Sequence, residues 1–81
     1  MGHELTKNDI KKMEEEIEYR IHEVRKAALD DVKETRAQGD LSENFEYHAA
    51  KRFKNKNESR IRYLQRTIKN ATVIDDSSAD D

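Results

Sequence analysis

The sequence has no cysteine, no proline and no tryptophan, and only two glycines in 81 residues. Absence of cysteine excludes disulfides and thiolate metal sites, and fits a reducing compartment. Absence of proline, with so little glycine, argues against a disordered chain. No apolar run approaches a membrane span or a signal-peptide core, so the cytoplasm is the expected location. Hydrophobic residues are also scarce, at 33% against 42% charged. One small domain without a thick core is the most that such a chain can form. What is present, charge in abundance and few breakers, reads as long helices joined along a narrow apolar seam.

The formal net charge of −2 conceals a segregation. Residues 1–46 carry eight Lys/Arg and thirteen Asp/Glu, and residues 47–70 carry eight Lys/Arg and the single acid Glu58. Residues 71–81 add four Asp and no base. A basic strip of this density attracts nucleic acid, and it equally suits pairing with an acidic helix. Arg52, Lys56 and Arg60 recur every fourth residue along it, open to either use.

Apolar or small residues fall at Ile10, Met13, Ile17, Ile21, Val24, Ala28, Val32 and Thr35. Positions 10, 21 and 32 are eleven apart, a period of about 3.67 residues per turn. A second seam follows at Ala50, Phe53, Asn57, Ile61, Leu64 and Ile68, interrupted by one polar residue, Asn57. An asparagine at such a position commonly fixes register. His3, His22 and His48 are too scattered for a metal site. Tyr19 and Tyr63 are read as packing at the seam edge.

Thr6 is placed to cap the first helix, with Asp9 three residues on. Gly39 stands where a helix ends in a positive-φ residue. Asp40 and Glu43 then match a D-x-x-E capping box. These signals predict an all-α fold, a long antiparallel two-helix coiled-coil hairpin. Helix 1 is expected over about 6–38, the tip over 39–42 and helix 2 over about 42–70, with the tail "DDSSADD" expected to be disordered. At about 1.5 Å per residue each arm is roughly 40–50 Å long.

Capping accounts for Asp40 and Glu43, yet the tip holds more than a turn needs. Glu46 adds a third acid, Arg36 and Lys51 flank the acids, and Phe45 and Tyr47 bring aromatics. Carboxylates suit magnesium, a hard cation that keeps much of its water and accepts one or two such ligands. An acid that caps a backbone N–H keeps lone pairs for a metal, so capping and chemistry are compatible.

The stretch "GDLSENFEYHAAK" resembles the tip of the bacterial transcript cleavage factors, the Gre family, in its GreA-type form. "ELTKNDIKKMEEEIEYR" resembles the family's opening segment and "NATVIDD" its junction after helix 2, so the likeness covers about residues 4–76. The resemblance implies a hairpin that enters the secondary channel of RNA polymerase and brings its tip to the active centre. There the tip carboxylates help hold the weakly bound second magnesium and its attacking water, and the polymerase cuts backtracked RNA itself. By position these acids are Asp40 and Glu43, and the magnesium is shared with the polymerase. The chain is thus expected to have no cofactor of its own and not to be an enzyme. The basic patch that meets the 3′ end of the RNA maps to Arg36 and Lys51, with Glu46, Tyr47 and Arg52 in support. Lys51 departs mildly, since the family often has arginine there, and a lysine offers a point charge without a bidentate fork.

The family carries a second, C-terminal domain of FKBP-like fold, and this chain stops just after the junction. An excised N-terminal domain, monomeric, is the expectation. Two other functions remain open: a channel-binding regulator that stimulates no cleavage, and a plain coiled-coil interaction module.

Overall fold

The computed structural model describes residues 3–39 and 43–74. Strand β1 (Glu4–Thr6) leads into helix α1 (Lys7–Tyr19), one π-turn (Arg20–Val24) and helix α2 (Arg25–Arg36). After the tip, helix α3 (Phe45–Lys69) returns to strand β2 (Thr72–Ile74). Cross-arm contacts rise in one arm as they fall in the other: Glu16 meets Arg60, Arg20 meets Asn57, and Thr35 meets Asn44. The arms are therefore antiparallel, a helical hairpin measuring 58 × 24 × 18 Å. None of its helices, among the described residues, is long and apolar enough to cross a membrane.

The first helix starts as its capping box predicts. Thr6 Oγ1 accepts the Asp9 N–H at 3.0 Å, and Asp9 Oδ2 accepts the Thr6 N–H at 3.0 Å. Before this cap lies an element that the helical periodicity did not announce. Strands β1 and β2 pair in parallel, Glu4 with Thr72 and Thr6 with Ile74, and the Thr72 N–H donates to the His3 carbonyl at 2.8 Å. Three-residue strands are too short to leave a period-2 signature, and their pairing partner is remote in sequence.

The core is thin. Ile17, Ala28, Ala50, Ile61 and Leu64 are buried, along with the polar Thr35, Asn57 and Thr67. The seam of α3 departs from expectation at Phe53, which is 53% exposed. It sits on the flank of the hairpin beside Asp30, Asp31 and Glu34, while Lys54 takes the half-buried position. Tyr19, expected to pack at the seam edge, is also exposed, and Tyr63 is partly covered by the Arg60 guanidinium 5.3 Å from its ring centre.

The first arm is not one uninterrupted α-helix. At the π-turn the Arg25 N–H reaches back five residues to the Arg20 carbonyl. One extra residue is accommodated there, which suits a seam whose period slightly exceeds that of a free helix. The same carbonyl accepts from Asn57 Nδ2 at 3.2 Å, and Arg20 Nη1 donates to Asn57 Oδ1 at 2.9 Å. Asn57 is thus buried with both ends of its amide engaged. Around it, Glu16 accepts from Arg20 at 2.7 Å and from Arg60 at 2.9 Å. Farther up, Arg25 grips Glu58 through two bonds of 2.8 Å. No buried side-chain nitrogen or oxygen lacks a partner among the described residues.

Two predictions follow from this polar layer. Asn57→Ala removes two cross-arm hydrogen bonds and is expected to cost about 1–3 kcal/mol, read as a lower melting temperature by circular dichroism. The second concerns acid. Hydrogen bonds from Arg60, then from Arg20, hold the Glu16 carboxyl down to about 2 in the folded chain. Its contribution to stability is complete above its unfolded value and is lost as pH falls from about 4.5 toward about 2. Glu58, held low by Arg25, and Asp9, held low by Thr6, act in the same direction. Melting temperature should fall across that window, and Glu16→Gln should flatten part of the slope.

Candidate functional site

The tip spans the end of α2 to the start of α3, residues 37–44, and is longer than the 39–42 expected. The Ala37 N–H donates to the Lys33 carbonyl at 3.2 Å and the Gln38 N–H to the Thr35 carbonyl at 3.2 Å, closing the helix. Gly39 follows with φ +130, a conformation that side chains disfavour. Asp40, Leu41 and Ser42 lie outside the described residues, and with them the predicted catalytic and metal-binding role of Asp40 and its half of the capping box.

The helix does not begin where that box places it. Its N-cap is Asn44, whose Oδ1 accepts the Tyr47 N–H at 2.9 Å. The Asn44 amide also donates, through Nδ2, to the Thr35 carbonyl of the opposite arm. One side chain therefore starts α3 and ties it to the end of α2. Thr35 is itself buried, its hydroxyl donating to the Asp31 carbonyl at 2.8 Å. Glu43 consequently precedes the cap instead of standing in the first turn. It is exposed, and the acid in the first turn is Glu46, also exposed. Asn44 satisfies the sequence rule for a cap, but Tyr47 stands where a box would have Glu or Gln, so the D-x-x-E pattern drew the cap four residues too early.

The other predicted residues gather around this tip. Gln38, Glu43, Asn44, Phe45 and Glu46 line a shallow depression at its surface. Arg36 is exposed in the last turn of α2, where a cation also complements the helix dipole. Tyr47 is half-buried, with the Lys51 ammonium 5.5 Å from its ring centre and the His48 ring edge-on at 5.4 Å. Arg52 is exposed one residue farther along.

The two uses open to the basic strip are also separated. Arg60 pairs with Glu16, but it is the one cation of residues 47–70 that pairs with an acid of the first arm, among the described residues. The other cross-arm pair has the reverse sense, Arg25 with Glu58. Arg52 and Lys56 line an open depression with Asn55 and Ser59. Internal pairing therefore does not account for the strip as a whole. No group of three or more His, Asp or Glu side chains forms a complete metal cage among the described residues.

The chain as a whole matches a known family model. The GreA/GreB model, "Transcription elongation factor, N-terminal", covers residues 3–73. The chain belongs to this family. It is similar to transcription elongation factor GreA of Allorhizobium ampelinum, at 44% identity over 71 residues, 88% of this chain and 45% of the relative. Similarity to GreA of Halalkalibacterium halodurans is 42% over 78 residues, 96% of this chain and 49% of the relative. For GreA of Chlorobium limicola it is 39% over 71 residues. The chain thus spans about half the length of these curated relatives. Membership in the GreA/GreB family accords with the hairpin and gives its tip a frame. The Asn44 clasp that holds this tip makes its own prediction: Asn44→Asp keeps the cap but loses the bond to Thr35. Asn44→Ala loses both and is expected to cost about 1–2 kcal/mol, more than Asn44→Asp, in denaturant melts.

Proposed function

We propose that the chain works as the tip-bearing hairpin of a transcript cleavage factor. It inserts in the secondary channel of RNA polymerase and stimulates the polymerase's own cleavage of backtracked RNA. The observation that carries this reading is an exposed acid, Glu43, at the end of a rod 58 Å long and 24 × 18 Å in section. Such a shape suits delivery of charge into a confined site. Family membership supports the setting, RNA polymerase in elongation.

In this reading Glu43, with Asp40, contributes carboxylate oxygens to a magnesium shell that polymerase and RNA complete. The donor chemistry fits: magnesium takes hard oxygen ligands and needs only one or two carboxylates beside water and phosphate, and Glu43 is exposed. When bound, the ion supplies Lewis-acid stabilisation of the oxygens that exchange at phosphorus. The remaining residues position and steer. Asn44 holds the backbone beside Glu43 against the opposite arm, so that the acid is presented from a fixed base. Arg36 and Lys51 offer positive charge to the phosphates of the extruded 3′ segment, with Lys51 braced over Tyr47. Arg52 and Lys56 continue that charge down the outer face of α3.

Because Asn44 supplies the helix cap, the tip acids can be changed without removing it. Asp40→Asn with Glu43→Gln should leave helicity and polymerase binding in place. Stimulated cleavage on a stalled, backtracked complex should fall at least about tenfold, the effect of losing about 1.4 kcal/mol of transition-state stabilisation. Full stimulation by a folded, bound double variant would falsify the catalytic role of the acids. A parent chain that binds the channel without stimulating cleavage would instead be a blocking regulator.

A further inference from the structure

We infer that Phe45 is a stacking platform for an unpaired nucleobase at the 3′ end of the RNA, a proposal that rests on the cleavage-factor reading. Phe45 is 83% exposed, more than any other large apolar residue among those described. It contributes nothing to the seam, whose nearby members are Thr35 and Ala50. Nor is it on a loose segment. Phe45 is the first residue of α3, directly after Asn44, which is hydrogen-bonded to both arms. The structure holds an aromatic ring out toward solvent on a fixed backbone, on the wall of the depression that Glu43 and Glu46 also line.

The surroundings favour a base over a protein pocket. A pocket that swallowed the ring would strip water from Glu43 and Glu46 on either side of it, and buried unpaired carboxylates are costly. A stacked base covers one face of the ring and leaves both carboxylates open to water or a cation. Every base has such a face, so the contact tolerates any sequence. Phosphates of the same strand would find Arg36 on the last turn of α2 and Lys51 on the second turn of α3. Tyr47 is less suited to this task, since it is half-buried and the Lys51 ammonium already lies over its ring. Phe45 in this role is a positioning residue: it holds the terminal nucleotide while the acids beside it act.

The test uses a stalled, backtracked polymerase carrying 2-aminopurine, a fluorescent base, at the RNA 3′ end. Adding the 81-residue chain should change the emission. Phe45→Ala should abolish that change and Phe45→Trp should retain it, with helicity the same in all three. At subsaturating factor, Phe45→Ala should lower cleavage at least about fivefold on ordinary RNA and less than about twofold where the extruded nucleotides are abasic. No emission change with the parent chain, or one that survives Phe45→Ala, overturns the proposal. Equal losses on both RNAs also overturn it, because the ring then meets the protein wall. An emission change that requires Phe45 in complexes where the chain stimulates no cleavage keeps the stacking and removes the cleavage reading.

Discussion

The hairpin depends on the clasp between Asn57 and Arg20. A seam made of a few Ile, Leu and Ala residues at nearly even spacing offers little to distinguish one register from another a turn away. A buried amide that must satisfy both its ends restricts that freedom, and in this register Arg20 offers it a carbonyl and a guanidinium together. The π-turn takes part in the same clasp, since Arg20 supplies the carbonyl that closes it. Glu16 and Arg60 then extend the layer toward solvent, where ion pairs add less to stability. The layer sits far from the tip, yet it decides which residues of the two arms stand opposite one another there.

Register reaches the tip through Thr35 and Asn44. Were the arms displaced by one turn, the Thr35 carbonyl would no longer lie under the Asn44 amide, and α3 would lose its tie to α2. Presentation of Glu43, Phe45 and Glu46 is therefore a property of the whole hairpin and not of the turn alone. The division of labour is economical: a neutral amide makes the structural bonds, while the acids beside it stay exposed. This separation explains how a tip can carry several carboxylates without using them to stand up.

The hairpin itself was legible in the amino-acid sequence because apolar periodicity is a property of each helix taken singly. Thr6 with Asp9 and the positive-φ Gly39 were legible for the same reason, being local patterns with local causes. Features that depend on the partner arm were not. Asn44 is a permitted cap residue by type, but the bond that ties it to the other arm runs to a carbonyl nine residues away and has no local signature. Phe53 fits the helical period but lies on the flank, because the half-buried Lys54 takes the seam at that level. The π-turn leaves a trace in the eleven-residue spacing, and only the carbonyl shared by Arg25 and Asn57 reveals what the trace means. Of the tip residues, the resemblance to the Gre family singled out Asp40 and Glu43 as candidates, and the exposure of Phe45 emerged only from the fold.

The small sheet at the base has a mechanical consequence. Because β1 and β2 run parallel, tension applied at residue 3 and residue 74 pulls the strands in opposite directions along their length. The hydrogen bonds between them are loaded together in shear, not opened one after another. The arms and the tip form a closed loop outside that line of force. A pull on the base is borne by the sheet, and the geometry at the far end of the rod is insulated from it.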